Sequence, residues 1–279
     1  MTIHIVTDST CDLPKEIIEK YSINVVPLNV HFAENTYKDK IDLFPDEFYQ
    51  KLVNSQEHPE TSQPSPGDFV NCYQEIAGEK DQILSIHLSS ELSGTFQSAN
   101  IAKEMLPDLD ITVIDSKLAS LAMGLLVKKA AEAREQGASM EEIVDKIDVL
   151  KEKITLYFFV DTLEYLKRGG RIGKAQALVG SLLDIKPILT INNEGIIEPI
   201  DKVRTKKKAI NKVIDLLKEA KGDVNVTAGI LYSGNEQENL DMIKTKISEE
   251  FNCEDMVISP FGPVIGVHVG PGAFGVCMI

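Results

Sequence analysis

Short apolar runs alternate with segments of helical periodicity along the first half of the chain. The apolar, β-prone runs predict strands at Ile3–Thr7, Gln82–Leu88 and Ile111–Asp115. The patterns between and after them predict helices over residues 14–21, 96–105, 118–136 and 139–153. Strands that alternate with helices form mostly parallel sheets with helices on both faces. We therefore expect the first half to be an α/β domain.

Residues at the ends of the predicted helices indicate where each helix starts or stops. Asp12 precedes Pro14 and is expected to cap the first helix. Gly137 is expected to end the third helix, because glycine is common just beyond a helix C-terminus. Ser139 and Glu142 have the spacing of a capping box, which predicts the start of the fourth helix.

The second half of the chain has a different pattern. Apolar runs lie at residues 155–160, 185–191, 196–203 and 224–231, and helical patterns lie at 206–220 and 236–251. Residues 192–195, Asn-Asn-Glu-Gly, separate two of the runs and predict a β-hairpin, which a parallel crossover does not produce. We expect a mixed α+β domain here, with the division near Lys153, so that the domains span 1–153 and 154–279.

The tail from Met256 to Ile279 contains no Asp, Glu, Lys or Arg. It is long enough to span a membrane, but its prolines and glycines would break a helix, so buried strands joined by tight turns are expected. Residues 270–275 match G-x-G-x-x-G in form. No helix and acidic residue can follow within the remaining residues, so this match does not indicate a dinucleotide site.

Charge and cysteine content narrow the possible partners and surroundings. The formal net charge is −14, which disfavours nucleic acid and anionic membranes as partners. The four cysteines have no C-x-x-C spacing, so we expect reduced thiols and no zinc site. The first residues lack a basic segment followed by an apolar stretch, so no signal peptide is expected. These features predict a cytoplasmic protein.

Hydroxyl side chains cluster where the second predicted strand leads into a helix. Ser89, Ser90, Ser93 and Thr95 surround Gly94 in this segment. The N-terminus of a helix attracts anions, so the segment predicts an anion site in which phosphate and carboxylate fit equally well. The alternative is a hydroxyl-rich helix start without a ligand.

Two further polar segments have both a functional and a structural interpretation. Asp8 and Ser9 follow the first strand, where parallel sheets bind ligands, but such residues also cap helices. Thr61 and Ser62 lie in a loop with three prolines, which could hold their hydroxyls in place or could be only a stiff linker.

A basic, glycine-rich segment stands out in this acidic chain. Residues 167–174 contain two lysines and two arginines, among them Arg168 and Arg171, which favours an anion or an acidic partner over a solvated loop. His268 lies in the uncharged tail and could be a core histidine or a functional one. The remaining histidines lack metal-ligand spacing, so no metal site is expected.

Five of these segments, in this order, resemble the DegV family of bacterial fatty-acid-binding proteins, which includes the FakB subunit of fatty acid kinase. The matching segments are Thr7-Asp8-Ser9-Thr10-Cys11-Asp12-Leu13-Pro14, Thr61-Ser62-Gln63-Pro64-Ser65-Pro66, Leu88-Ser89-Ser90-Glu91-Leu92-Ser93-Gly94-Thr95, Leu166-Lys167-Arg168-Gly169-Gly170-Arg171-Ile172 and His268-Val269-Gly270-Pro271-Gly272-Ala273. They span nearly the whole chain, so the resemblance is specific.

The resemblance implies a two-domain α/β protein that holds one long-chain fatty acid in an apolar tunnel between its domains. Thr61 and Ser93 match the positions that hydrogen-bond the carboxylate, with the backbone around Ser62 and Gly94 assisting. The resemblance also assigns supporting roles in this polar network, to Arg171 and His268, and it makes Asp8, Ser9 and Gly270 possible lining residues. It implies no cofactor other than the bound fatty acid and no catalytic residue in this chain.

The resemblance further implies a partner protein. In FakB-like members a separate ATP-dependent kinase subunit phosphorylates the presented carboxylate to an acyl-phosphate that is used in phospholipid synthesis. Arg168, Arg204 and the segment Lys206-Lys207-Lys208 are candidates for contacting that subunit.

Two other functions compete with the lipid carrier. A serine-dependent acyl hydrolase would use Ser93 as nucleophile and His268 as base, although no G-x-S-x-G motif is present. A binding module for a phosphorylated metabolite would use the helix start at Ser93 together with Arg168 and Arg171. Acyl-chain length depends on the side chains at the tunnel end, and the sequence leaves it open.

Overall fold

The computed structural model describes residues 2–55, 57–180, 185–234 and 236–279. Its strands, numbered along the chain, are β1 (Ile3–Asp8), β2 (Asn24–Val26), β3 (Asn29–Phe32), β4 (Asn35–Lys38), β5 (Glu60–Ser62), β6 (Gln82–His87), β7 (Asp110–Asp115), β8 (Thr155–Phe159), β9 (Lys186–Ile191), β10 (Ile197–Val203), β11 (Asn225–Tyr232), β12 (Asn252–Pro260) and β13 (Phe274–Met278). Its helices are α1 (Lys15–Lys20), α2 (Pro45–Asn54), α3 (Pro66–Ile76), α4 (Thr95–Met105), α5 (Ser120–Glu135), α6 (Met140–Lys153), α7 (Glu164–Arg168), α8 (Lys206–Lys221), α9 (Gln237–Glu250) and α10 (Pro263–Val269). Within the described residues the strands form three sheets.

A four-stranded parallel sheet is built by the first half of the chain, in the order β2-β1-β6-β7. Successive side chains of a strand point to opposite faces, as those of Ile5 and Val6 do here. Helices α3 and α4 cover the face of Val6, and α5 covers the face of Ile5. The predicted parallel α/β architecture is confirmed.

The first helix does not start as predicted from Asp12. Helix α1 begins at Lys15, and Pro14 precedes it without a side-chain cap. The carboxylate of Asp12 instead accepts hydrogen bonds from Lys40 Nζ at 2.6 Å and from the backbone N–H of Gly262 at 3.0 Å. The prediction was wrong because a capping rule considers only neighbouring residues, whereas the partners of Asp12 come from distant parts of the chain.

A six-stranded mixed sheet is built by the second half, in the order β10-β9-β8-β13-β11-β12. Strands β11 and β12 are parallel, and the other neighbouring pairs are antiparallel. Residues 192–195 join β9 to β10 and confirm the predicted hairpin. Helices α8 and α9 pack on one face of this sheet, and α5 packs on the other.

A third, antiparallel sheet, in the order β4-β3-β5, was not expected from the sequence. Its strands are only three or four residues long and largely accessible to solvent, so they lack the apolar runs that predict buried strands. Helices α2 and α10 pack against it through an apolar cluster that includes Val30, Phe48 and Val267. This small sheet positions Thr61 and Ser62, because both residues lie on β5.

The uncharged tail contains a helix, contrary to the expectation of strands and turns alone. Helix α10 has Pro263 at its first position and ends before Gly270, whose φ is 71°. Both are ordinary start and stop signals of helices. The helix lies between β12 and β13 along the chain. It is mostly buried, and nearly all of its side chains are apolar. Of the helices in the described part of the chain, none is long and apolar enough to cross a membrane.

The largest apolar cluster connects the two halves of the chain. It extends from Ile5 in β1 to Cys277 in β13, and α5 lies at its centre in contact with strands of both large sheets. The capping box of Ser139 and Glu142 at the start of α6 is confirmed. Helix α6 ends at Lys153 and β8 begins at Thr155, so the predicted domain division falls in this link and stays a prediction.

Candidate functional site

A cavity of about 770 Å³, including its open mouth, is bordered by strands of the six-stranded and the three-stranded sheet, by α10, and by loops and helix starts that follow strands of the parallel sheet. The apolar residues that line it are Leu28, Leu88, Leu92, Ala119, Leu156, Phe158, Leu166, Ile191, Ile197, Leu231, Phe261, Val264, Ile265 and Val269. The polar residues that line it are Thr61, Ser62, Gln63, Ser93, Ser120, Arg171 and His268. Such a lining suits a molecule with a large apolar part and a small polar group.

Thr61 and His268 meet at this cavity although 207 positions separate them in the sequence. Thr61 lies on β5, and His268 lies near the end of α10. A hydrogen bond of 2.9 Å joins Thr61 Oγ1 to His268 Nε2. The imidazole is packed closely on its other side, because a Cβ atom at Gly169 would collide with Nδ1. The glycine that follows α7 therefore makes room for this histidine.

His268 is neutral in this environment. Burial lowers the pKa of its imidazole to about 3, and the nearby positive charge of Arg171 contributes in the same direction. The described residues offer Nδ1 no hydrogen-bond partner, although this atom is buried. A buried N–H without an acceptor is rarer than an acceptor without a donor, so we assign the proton to Nε2. Thr61 then accepts from His268, and its own hydroxyl hydrogen is free to donate into the cavity.

Arg171 is fixed by the protein backbone. Its Nε donates to the carbonyl of Leu92 at 3.0 Å, and its Nη1 donates to the carbonyl of Gly169 at 2.6 Å. Among the residues that the structure describes, Nη2 has no acceptor. Because the side chain also lines the cavity, Arg171 offers positive charge and one amino group to a bound anion.

Ser93 lies at the start of α4. Its Oγ is 2.9 Å from Thr95 Oγ1 and accepts from the backbone N–H of Thr95 at 3.3 Å. Gly94 is the residue before the helix, and the first turn contains no acidic side chain that would neutralise the positive end of the helix dipole. This end of α4 can therefore stabilise an anion together with Ser93.

Gln63 is a lining residue that sequence reasoning missed. A Cβ atom at Gly94 would lie only 2.5 Å from its Nε2, so Gly94 provides the space that the glutamine side chain occupies. The signal that could have identified Gln63 was its position beside Ser62 in the proline-containing loop. The side chain of Ser62 itself turns toward the third sheet, where Oγ contacts Asn29 Nδ2 at 3.2 Å and His31 Nε2 at 2.9 Å.

Asp8, Ser9 and Gly270 lie outside the cavity lining. Asp8 is fully buried and accepts from the backbone N–H of Thr10 at 3.1 Å, which agrees with the capping interpretation. Ser9 Oγ accepts from the backbone N–H of Leu28 at 3.1 Å. Gly270 is packed against the ring of Tyr165, where a Cβ atom would collide. These three residues support the walls of the site rather than face its interior.

The two arginines predicted to contact a partner are exposed. Arg168 Nε donates to Glu164 Oε1 at 2.8 Å on the surface of α7. Arg204 has no ion pair within the described parts of the chain. Lys206 differs from both, because it is partly buried and donates to Glu236 Oε1 at 2.5 Å. Its charge is therefore less available to a partner than the charges of the two arginines.

A second network has the bonding order of a serine-protease triad. Asp8 Oδ2 is 3.0 Å from His87 Nδ1, and His87 Nε2 is 2.7 Å from Ser85 Oγ, which also accepts from Tyr73 OH at 2.8 Å. These four residues are fully buried and do not line the cavity, so no substrate could reach Ser85. The hydrolase that the sequence suggested is not favoured either, because Ser93 bonds to Thr95 and a pKa of about 3 makes His268 a poor base.

Behind one wall of the cavity lies a buried charged cluster, which the sequence did not reveal. Asp12 binds Lys40 and also accepts from the hydroxyl of Ser120, a lining residue at the start of α5. Asp39 is almost fully buried, and burial raises the pKa of its carboxyl to about 7 despite the nearby ammonium group of Lys40. No group of three or more His, Cys, Asp or Glu residues that could hold a metal ion occurs in the described part of the structure.

Comparison with known proteins supports a single family. The family model described as "Uncharacterised protein, DegV family" matches residues 2–279. Protein DegV of Bacillus subtilis is 42% identical over 279 residues, which cover 99% of each chain. A fatty-acid-binding DegV family protein of Thermus thermophilus has a similar structure, with a TM-score of 0.94 and 38% identity over 100% of this chain and 99% of that one. The crystal structure of Bacillus subtilis DegV, described as a fatty acid binding protein, has a TM-score of 0.91 and 40% identity over 100% and 99% of the two chains. This chain therefore belongs to the DegV family.

Proposed function

We propose that this protein binds one long-chain fatty acid, with the acyl chain in the cavity and the carboxylate against Thr61, Ser93, Arg171 and His268. The observation that carries the proposal is the division of the lining, in which many apolar side chains accompany one set of hydroxyl, amide, guanidinium and imidazole groups. Two relatives of similar structure are named as fatty acid binding proteins, which supports the same ligand class here.

The apolar lining supplies most of the affinity. Each methylene group that leaves water contributes about 0.8 kcal/mol, so a long acyl chain gains several kcal/mol even after the entropy of association is subtracted. This term is non-directional, because it depends on the buried area and not on the orientation of the chain. The polar group therefore determines which end of the ligand lies beside Thr61.

The donors at the polar end suit a carboxylate. The hydroxyl of Thr61, Nη2 of Arg171 and the N-terminal end of α4 can each donate to an anion, and His268 holds the hydroxyl of Thr61 in its donating orientation. A carboxylate that leaves water needs several such donors. The hydrogen bonds within the protein leave these donors free, so they are available to a bound carboxylate.

Arg171 can compensate the charge of the ligand without gripping both of its oxygens. Its Nε and Nη1 each already donate to a backbone carbonyl, so the fork formed by Nε and Nη2 is not available, and Nη2 is the nitrogen left to bind a carboxylate oxygen. One carboxylate oxygen then keeps its nucleophilic character. This arrangement fits a protein that presents the carboxylate for a reaction carried out elsewhere.

The reaction partner in this proposal is a separate ATP-dependent kinase subunit, and the chain itself is no enzyme. A carboxylate oxygen attacks the γ-phosphorus of ATP, the bond to the bridging oxygen breaks, and ADP leaves as the acyl-phosphate forms. The acyl-phosphate then enters phospholipid synthesis. Exposed Arg168 and Arg204, with the segment 206–208, are the proposed contacts to the kinase.

Extraction of the protein with organic solvent, followed by mass spectrometry, tests the ligand class. A free fatty acid in near-stoichiometric amount is expected, and its length and unsaturation identify the preferred acyl chain. The double variant Thr61→Ala/Ser93→Ala should retain much less fatty acid. The control Ser90→Ala/Thr112→Ala removes two hydroxyls outside the lining and should retain the normal amount. An empty wild-type protein, or one that carries only a phosphorylated metabolite, would contradict the proposal.

The kinase step is tested separately with purified protein loaded with oleate, ATP and a bacterial fatty acid kinase subunit. Acyl-phosphate, trapped with hydroxylamine, is expected only when all three components are present. Arg168→Ala/Arg204→Ala should bind oleate normally and yield less product. Normal product formation by this variant would contradict the proposed contacts, and no product from the wild-type protein would contradict the partner.

A further inference from the structure

Gly275 lies in the interior of β13, at the centre of the six-stranded sheet. Its Cα partners are Phe158 on β8 and Leu231 on β11. The residue is fully buried, and the side chains of both partners line the cavity. Gly275 thus lies between two residues whose side chains line the cavity, while Gly275 itself borders a small apolar void on the opposite face of the sheet.

Neither backbone conformation nor packing requires glycine at this position. Gly275 does not have a positive φ. A Cβ atom would lie 3.4 Å from Phe158 Cβ, 3.4 Å from Phe261 Cζ and 3.5 Å from Leu231 Cδ1, which are ordinary contact distances. Glycine in a strand interior is unfavourable relative to alanine and often marks close approach of a ligand.

Gly229 lies on the same face of the sheet, and packing does require glycine at that position. A Cβ atom there would lie 2.6 Å from Cys277 Sγ and 2.9 Å from Leu121 Cδ2, so the neighbouring side chains already fill the space. At Gly275 the space is bordered by Phe158, Leu231 and Phe261, and all three of these residues line the cavity. A larger residue at 275 would therefore fill the floor of the cavity itself or displace these side chains toward the ligand.

We propose that Gly275 is a specificity-determining residue, whose missing side chain leaves the cavity floor deep enough for the distal part of a long acyl chain. This inference rests on the proposed binding of fatty acids. It goes further by naming the position at which the accepted chain length is limited. Side chains added there should exclude the longest acids first and leave shorter acids unaffected.

Competition binding with saturated fatty acids from laurate to arachidate tests this inference on Gly275→Ala and Gly275→Val. Each methylene group that no longer fits should weaken binding about fourfold, so the longest acids lose most and laurate keeps its affinity. Leu231→Phe enlarges a neighbour of the same space and should shift the preference in the same direction. Thermal unfolding identifies the variants that are folded, and Gly275→Ala, whose added Cβ fits at ordinary distances, can be tested even if Gly275→Val does not fold.

Val276→Ile is the matched control. Val276 is the adjacent residue, and its side chain lies on the opposite face, where it borders a small apolar void. This control should keep the wild-type profile of affinity against chain length. An unchanged profile in Gly275→Ala, Gly275→Val and Leu231→Phe, or equal weakening of all acids, would overturn the inference. A wild-type protein that binds none of the acids would overturn the proposed function as well.

Discussion

Two histidine networks lie within this protein, and they differ in what remains unbonded. In the first, His87 joins Asp8 to Ser85, and both ring nitrogens have partners. In the second, His268 bonds to Thr61 through Nε2, while its Nδ1 has no partner in the described residues. The closed network resembles a catalytic triad but has no access, whereas the open one lines a cavity. The hydroxyl of Thr61, which can still donate into the cavity, therefore indicates function better than triad geometry does.

Loss of the closed network should lower the free energy of unfolding, and this is the largest effect that we expect. Asp8→Ala leaves the Thr10 hydroxyl, His87 and the backbone N–H of Leu88 without their acceptor. Each buried group that loses its partner costs about 1–3 kcal/mol, so the free energy of unfolding should fall by about 3 kcal/mol or more in urea titrations. The folded fraction should still bind oleate as the wild-type protein does. A loss below about 1 kcal/mol would show that this network is not a structural element.

Loss of the open network should weaken the binding of oleate and leave the stability of the fold nearly unchanged. Thr61→Val keeps the shape of the side chain and removes the hydroxyl that donates to the carboxylate. Hydrogen bonds to charged groups contribute about 1.5–3 kcal/mol, so oleate binding should weaken by about tenfold to a hundredfold in calorimetric titrations. Thr112→Val, outside the cavity lining, should bind normally. The reverse result, lower stability with unchanged binding, would contradict the distinction between the two networks.

His268 and Asp39, which belongs to the buried cluster, should make stability depend on pH in opposite directions. The folded state keeps His268 deprotonated down to about pH 3, whereas the unfolded chain binds this proton near pH 6.5, so this term makes stability rise with pH through that window. Asp39 acts in the opposite direction, because its pKa is about 7 in the fold and near 3.8 in the unfolded chain. Between about pH 4 and 6.5 the two contributions offset each other.

Substitution of either residue should reveal how the remaining one makes stability change with pH. In urea titrations, Asp39→Asn should become more stable as pH rises from 5 to 6.5, and His268→Gln should become less stable, each by about 1–2 kcal/mol. Asp42→Asn, an exposed carboxylate in the same loop as Asp39, should follow the wild-type profile. Slopes of the same sign in both variants would contradict the protonation states assigned to His268 and Asp39.

The smallest effect is expected at the surface of α7. Arg168→Ala breaks an exposed ion pair with Glu164, which contributes no more than about 1 kcal/mol. Stability in urea and oleate binding should both stay near the wild-type values. A tenfold loss of oleate affinity would mean that Arg168 belongs to the binding site and not to a partner surface.

The strand and helix pattern could be predicted where hydrophobic periodicity is strong. The parallel strands around Ile5 and the β9–β10 hairpin are confirmed, because apolar runs and turn residues determine them locally. The short sheet that carries Thr61 and the helix that carries His268 were missed. Their strands are too exposed, and that helix too uniformly apolar, to produce a clear period.

The sequence indicated some of the residues that line the cavity. Thr61, Ser93, Arg171 and His268 come from distant segments, and the structure brings them to one cavity. Asp8 and Ser9 do not line it, because their hydrogen bonds go to the surrounding backbone. Asp39 and Lys40 have no local motif, so their burial beside Asp12 could not be read from neighbouring residues. Local patterns identify reactive side chains, but only tertiary packing determines which of them face a ligand.

Calorimetric titration of the delipidated protein with oleate and with methyl oleate tests the central claim most directly. Both ligands have the same acyl chain, but only oleate carries the charge that Thr61, Arg171 and the start of α4 are proposed to bind. Oleate should bind at least about tenfold more tightly than its methyl ester, and Thr61→Val should reduce this difference. Equal affinities for the acid and the ester in the wild-type protein would contradict carboxylate recognition at this site.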